Sequence, residues 1–582
     1  MSEQASGGLT RRRVLTGAGA AVASAGVVTL SSCSKEAAFD WHEETDILVV
    51  GSGVGAATAA LTAHGNGDAV MMIEKASFLG GTSLKSAGVL WVPNNFTLKE
   101  RGIDDRKEDC IRYQARFSYP ERYDPDDPRL GLSEHEYSLL EAFYDNASVA
   151  VDALRESGAL NVSEWRMFFL DRPATDYLDH VPENKVPAGR ALGPLNEDGS
   201  MGGGETLMQQ LGGAVAERGI KTLLEHRAAR LVQDDADRVI GVQADADGAT
   251  VNIRASKAVI FATGGYVHNA EKNNVYQPMR MYGSCAMPGA EGDFIDIATA
   301  AGARLGNIGG AWRTQILLEE ALVSPQLATG VFFPSGDSAF QVNKYGVRVV
   351  NENRNYNDRT EAHGYYDPSH AEYPNQLLFM IYDERTARAF AGVYPVPADP
   401  ADAKYVLIGQ TLEELTAAIE KRLGEIEAST GGLKLNASFT ANLQETITRF
   451  NGFAETGEDL DFRRGKHAYD SEWHQAFSPM NPDSGWPANE HPSVTMHPLR
   501  DEGPYYALIL AAGALDTCGG PIIDASARVL NSESQPITGL YGAGNCIASP
   551  SNEAYYGSGH TLGMSMTFGY IAANAANAEP RT

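Results

Sequence analysis

Apolar residues along this chain gather into short unbroken runs, and the runs that matter end in clusters of small residues. Asp46-Ile47-Leu48-Val49-Val50 is of strand length and passes directly into Gly51-Ser52-Gly53-Val54-Gly55-Ala56, followed by an Ala-rich helical stretch over 57–64. A second apolar run, 69–73, stops at Glu74, and a third, 258–261, leads into Ala262-Thr263-Gly264-Gly265. These predict buried strands that end in small-residue turns. Between 410 and 430 the period changes: Leu412, Leu415, Ala418, Ile419 and Leu423 fall at helical spacing with charges between them, which predicts one surface helix. Residues 123–128 and 395–400, rich in Pro and Asp, predict loops.

The first strand and helix carry a chemistry in the turn between them. Gly51, Gly53 and Ala56 stand in a GxGxxA pattern, with Gly55 beside them. Gly51 permits the tight turn, Gly53 lets a pyrophosphate approach the backbone, and Ala56 allows close helix packing. The helix N-terminus then faces the phosphate charge. Glu74 lies 23 residues after Gly51, at the end of the second strand, where a carboxylate accepts hydrogen bonds from a ribose diol. The pattern predicts dinucleotide binding.

Composition narrows the class. A chain of 582 residues with 43% hydrophobic content buries a large core and is read as two domains. The net charge of −28 excludes a nucleic-acid partner, which needs clustered Lys and Arg. Five cysteines (Cys33, Cys110, Cys285, Cys518 and Cys546) show no CxxC and no metal-ligand spacing, so no metal site is expected and redox work falls to a bound cofactor. The amino-terminal segment reads as an address. Thr10-Arg11-Arg12-Arg13 precedes an uncharged apolar stretch, 14–30, in the pattern of a bacterial twin-arginine export signal, and Leu30-Ser31-Ser32-Cys33 resembles a lipoprotein processing site. The expectation is a folded, cofactor-loaded protein passed to the twin-arginine export machinery, periplasmic or in the cell envelope, touching the membrane only through a lipid anchor at Cys33.

Gly80-Gly81-Thr82-Ser83 and Ser86-Ala87-Gly88 resemble the flavin-contacting turns of the fumarate reductase and succinate dehydrogenase flavoprotein superfamily. Ala262-Thr263-Gly264-Gly265 matches its ATGG segment, and Gly539-Leu540-Tyr541-Gly542-Ala543-Gly544-Asn545 with Thr561-Leu562-Gly563 matches its closing motif. The resemblance spans nearly the whole mature chain and implies FAD. It assigns cofactor contact to Gly51, Gly53, Gly55, Ala56, Glu74 and Lys75, then to Gly81, Thr82, Ser83, Ser86, Ala87 and Gly88. Thr263, Gly264, Gly265, Asp293, Gly544, Asn545, Thr561 and Leu562 complete the set. Members that attach FAD covalently use an early histidine; none lies between Gly65 and His135, so non-covalent FAD is expected. The implied fold is α/β, α+β overall. A leader and linker (1–44) precede a Rossmann-like FAD-binding domain in two parts (45–316 and 497–582), with an inserted substrate-binding, capping domain at 317–496.

Within that superfamily the dicarboxylate enzymes use arginines to hold a doubly charged substrate. Here Tyr356 stands where a fumarate reductase carries its proton-donating arginine, and no arginine occurs from Tyr541 to Pro580. Asn351-Glu352-Asn353-Arg354-Asn355-Tyr356 and Tyr555-Tyr556-Gly557-Ser558-Gly559-His560-Thr561-Leu562-Gly563 instead resemble motifs of 3-ketosteroid Δ1-dehydrogenases, with Asn355 in place of a frequent proline. Asp176-Tyr177 is the best match for the third family tyrosine. The resemblance implies that Tyr555 and the Gly559 N–H hold the C3 carbonyl oxygen, that Tyr356 takes the C2 proton, and that Tyr177 supports it. The substrate would be a small apolar, steroid-like ketone, and with no heme-attachment CxxCH in the chain the electrons would leave to an external acceptor such as a quinone. Three alternatives stay open: a Δ4-(5α)-dehydrogenase in which Tyr556 and Ser558 contact the carbonyl, an exported enone or acrylate reductase, and a redox-silent flavin- or ligand-binding lipoprotein. His560 is read either as a donor behind the site or as a structural histidine.

Overall fold

Five strands run parallel in the first sheet. Glu43–Val50 pairs with Val70–Ile73 on one side and with Ala249–Phe261 on the other. Lys221–Leu223 extends the sheet beyond Val70–Ile73, and Pro536–Gly542 beyond Ala249–Phe261. Ile47, Leu48, Val49, Val259 and Ile260 are wholly buried. Burial on both faces is why these strands read as unbroken apolar runs rather than as alternating ones. An antiparallel hairpin, His226–Gln233 and Val239–Ala246, joins the far part of Ala249–Phe261. The chain order reverses direction at Glu43–Val50, and such a switch opens a crevice at the carboxyl ends of the strands, here Val50, Ile73, Phe261 and Gly542.

The computed structural model describes residues 39–167 and 170–582; the twin-arginine segment, the apolar stretch after it and Cys33 lie outside the described residues. Helix Val54–Gly65 leaves the first turn and packs against helix His560–Asn577 near the other end of the chain. A Cβ on Gly55 would lie 3.0 Å from the Ser565 carbonyl oxygen, and one on Gly569 would lie 2.3 Å from that of Gly55. The two helices meet through glycine because nothing larger fits between their backbones.

A second sheet centres on Tyr505–Thr517, paired antiparallel with Ala311–Leu317, Leu377–Asp383 and Leu407–Gly409 and parallel with Gly283–Ser284. Ala339–Val342 lies beyond Leu377–Asp383. The boundaries drawn at 317 and 497 do not coincide with a division between the sheets: Ala311–Leu317 and Tyr505–Thr517 share one sheet with strands of the 317–496 segment, and residues 41–582 form one compact unit. The predicted helix over 410–430 is Leu412–Glu425, capped by the Thr411 side chain and followed by a separate short helix, Glu427–Thr430. Leu412, Leu415, Ile419 and Leu423 form its buried face. Among the described residues no helix is long and apolar enough to cross a membrane.

Candidate active site

A cavity of about 930 Å³ is walled by Val50, Ile73 and Phe261, three of those carboxyl ends, and extends to the second sheet. Its first half is walled by backbone. Gly51 has φ +109°, and a Cβ there would lie 2.4 Å from the Ala262 carbonyl oxygen, so glycine is required. The Ser52 hydroxyl donates to Glu74 Oε2 at 2.6 Å and accepts from the Gly80 N–H at 3.0 Å. Ser83 Oγ accepts from the Val54 N–H at 3.1 Å. These bonds stitch the first turn, the 80–83 turn and the end of the second strand into one cradle. At its rim Lys75 Nζ donates to Asp293 at 2.8 Å and to Glu291 at 3.1 Å. Thr263 Oγ1 is a buried atom on the same wall with no hydrogen-bond partner. A cradle that added carbon would fill, a helix N-terminus and an orphaned hydroxyl together fit a bound dinucleotide such as FAD.

Of the expected cofactor residues, all but Ala56 and Gly265 line this cavity. Ala56 is wholly buried in the core beneath the turn, where its small size permits the helix packing. Gly265 stands just behind the wall: its N–H donates to Asp516 at 2.8 Å, and a Cβ would lie 2.3 Å from Thr517 Oγ1, so it is small for packing against the second sheet.

The second half is walled by side chains. Tyr177, Tyr356 and Tyr555, far apart in the chain, converge here: Tyr177 OH donates to Tyr356 OH at 3.1 Å, the Tyr177 and Tyr555 rings stack at 5.3 Å, and Tyr356 meets Tyr555 edge-on at 5.5 Å. Tyr356 opens the short helix Tyr356–Thr360, and Asn355 caps it, its side chain accepting from the Asp358 N–H at 2.9 Å. The residue that departs from the family motif thus has a local structural task. Arg354 ties the segment to Asp470 at 3.0 Å and to the Tyr177 carbonyl. Gly559, with φ +84°, caps helix His560–Asn577; its carbonyl accepts from the Trp91 N–H at 3.0 Å, and a Cβ would lie 2.3 Å from Val89 backbone. Burial pushes the Tyr177 and Tyr356 hydroxyls well above the ordinary phenol value of 10.0, and that of Tyr555 upward as well.

Tyr556, the alternative carbonyl contact, is wholly buried outside the cavity lining, its hydroxyl 2.7 Å from Ser118 Oγ; Ser558 does line the cavity. His560 Nε2 bonds Ser551 Oγ at 2.8 Å, and burial pulls its pKa down to about 3, so the ring stays neutral. Sequence reasoning missed the aromatic wall of Trp165, Trp312, Phe332, Trp473 and Phe477, and it missed Asp516. Half of the chain's six tryptophans line the cavity, a concentration that composition alone does not locate.

Comparison with known proteins agrees with this geometry. Residues 46–562 match the FAD binding domain family. The chain is 32% identical over 560 residues to 4-oxocyclohexanecarboxylate 2-dehydrogenase of Sinomonas cyclohexanicum, covering 90% of this chain and 92% of that one. It is 28% identical over 589 residues to 3-oxosteroid 1-dehydrogenase of Mycolicibacterium smegmatis, covering 91% and 97%. The solved 3-ketosteroid Δ1-dehydrogenase of Sterolibacterium denitrificans, in complex with 1,4-androstadiene-3,17-dione, superposes with a TM-score of 0.74 at 25% identity, over 92% of this chain and 100% of that one. This chain belongs to the FAD binding domain family and is an FAD-dependent oxidoreductase of the steroid dehydrogenase and fumarate reductase group.

Proposed function

We propose that the protein desaturates an apolar cyclic ketone beside its carbonyl, as the Δ1-dehydrogenation of a 3-ketosteroid-like substrate. The observation that carries this reading is the aromatic wall around the three tyrosines: Trp165, Trp312, Phe332, Trp473 and Phe477. The nearby arginines are engaged. Arg190 pairs with Asp105 and Asp176 at 2.6 Å each, and Arg354 with Asp470 at 3.0 Å. Of the two lysines on the cavity, Lys75 is paired with Asp293, while Lys85 donates to the Leu327 carbonyl and keeps its charge. Asp516, close by, repels an anion further. A carboxylate placed among these aromatic rings would lose its water with no arginine free to pair it, which favours an uncharged substrate.

Tyr555 OH and the Gly559 N–H hold the carbonyl oxygen, and donors aimed at that oxygen stabilise the negative charge it gains as the neighbouring C–H ionises. Tyr356 takes the C2 proton. Tyr177, already donating to Tyr356 Oη, stabilises the phenolate as it forms. FAD, when bound, supplies the hydride acceptor. Tyr556 is engaged with Ser118, which supports the Tyr555 assignment and hence Δ1 over Δ4-(5α). His226 is the cavity's histidine, and its N–H donates to the Glu74 carbonyl at the ribose side, consistent with non-covalent FAD. Electrons then pass to an external acceptor, a quinone or other, with the protein exported through its twin-arginine leader.

Anaerobic mixing with 4-androstene-3,17-dione tests this. The flavin band should bleach and the product should be lighter by two hydrogens. Bleaching by 4-oxocyclohexanecarboxylate but not by the steroid would sink the apolar-substrate reading.

A further inference from the structure

Asp516 stands apart from the other buried acids. Buried carboxylates among the described residues are paired with cations, Asp105 and Asp176 with Arg190 and Glu352 and Asp459 with Arg348 being examples. Two have no cation. Asp383 caps helix Glu384–Ala389, a structural use. Asp516 is 2% exposed and lines the cofactor cavity.

Its place in the fold is specific. It stands on strand Tyr505–Thr517 in register with Trp312. Oδ2 accepts from the Gly265 N–H at 2.8 Å and from Asn545 Nδ2 at 3.2 Å, and Oδ1 accepts from the Thr517 N–H at 2.9 Å. Asn545 Oδ1 in turn accepts from Trp312 Nε1 at 3.0 Å. Asp516 therefore joins the Gly264 and Asn545 wall of the cofactor half to the aromatic wall of the substrate half. The titratable groups that act on it are the His268 imidazole, on the turn after Gly265, and the Cys518 thiol, two residues along its own chain. Burial raises its pKa, while three N–H donors favour the ionised form. An acid held between these opposing influences, without a cation, responds strongly to any new charge nearby.

We propose that Asp516 is the group through which reduction of the cofactor takes up a proton, and that its charge sets the reduction potential. Bound FAD would take two electrons and one proton on reduction and keep one negative charge in the cavity that Asp516 lines. A second proton from solvent then binds the Asp516 carboxylate, and reoxidation releases both. By linkage the converse holds: ionised Asp516 disfavours reduction, so the potential falls as pH rises through its titration.

The test is a spectroelectrochemical titration of the FAD-loaded protein with dithionite and mediator dyes. No substrate is added, so the result is independent of which ketone the enzyme uses. Asp516→Asn is nearly isosteric. Its potential should match that of the unaltered protein in acid and exceed it in alkali, with a shallower dependence on pH. Superimposable curves at full FAD content would overturn the proposal. Should the variant lose FAD, the unaltered protein decides: its reduced-minus-oxidised infrared spectrum should gain a carboxylic C=O band that shifts in deuterium oxide. Absence of that band overturns the proposal as well.

Discussion

Around the dinucleotide cradle the walls are backbone, supplied by short stretches such as Gly51-Ser52-Gly53 and Gly81-Thr82-Ser83 whose neighbours in sequence are neighbours in space. Around the tyrosines the walls are side chains drawn from positions as distant as Trp165, Tyr356 and Tyr555. At Gly51 the first kind of wall tolerates no added atom, because the Ala262 carbonyl is fixed beside it. The second tolerates changes of volume but not the loss of a hydroxyl that does chemistry. One half fails by steric clash, the other by a missing proton acceptor.

The largest effect should come from adding a carbon to the backbone wall. Gly51→Ala places a Cβ 2.4 Å from the Ala262 carbonyl oxygen at a φ of +109°, so purified protein should be colourless and less stable by about 2–4 kcal/mol in denaturant melts. A yellow, stable variant would break the distinction. Next, Tyr356→Phe should keep its FAD and melting temperature while kcat falls by roughly 10²–10⁴-fold, the range for a lost general base. A drop below tenfold would move the base elsewhere.

A milder test is pH. Burial holds the Tyr356 hydroxyl well above the ordinary phenol value of 10.0, so the group is protonated at neutral pH and its basic form grows with alkalinity. The rate of steroid-dependent flavin reduction should climb about tenfold per pH unit above neutrality, with no plateau below about pH 10. A plateau near neutrality would mean another base. The smallest effect should be Asn355→Ala, which removes the cap of the helix carrying Tyr356. Stability should fall by about 1 kcal/mol in thermal melts while the shape of the pH profile stays the same.

The same contrast explains what could be read from the chain. The cradle was legible because strand, turn, helix and terminal acid are local patterns with fixed spacing, and Tyr356 and Tyr555 were legible because each sits in a motif. Gly265 marks a limit, because a glycine after a strand serves a ligand or a packed neighbour equally well; here it packs against Asp516 and Thr517. Trp473 and Phe477 were hidden for another reason. They lie one turn apart on helix Ala468–Phe477, which is indistinguishable from an ordinary core stripe until the fold brings Tyr177 against it. The apolar strand Tyr505–Thr517 likewise carries no mark of which sheet it will join. The break after Glu425 escaped notice because apolar spacing continues across it.

The contact between helices Val54–Gly65 and His560–Asn577 has a consequence for the order of synthesis. A ribosome makes the glycine turn some five hundred residues before the helix that backs it, and the Thr561 and Leu562 edge of the same cavity, exist. Over that interval the nascent chain carries an unfinished nucleotide pocket. Cofactor capture is therefore a closing event, after the final helix has docked, and a ribosome stalled before residue 560 should release a chain that cannot retain FAD.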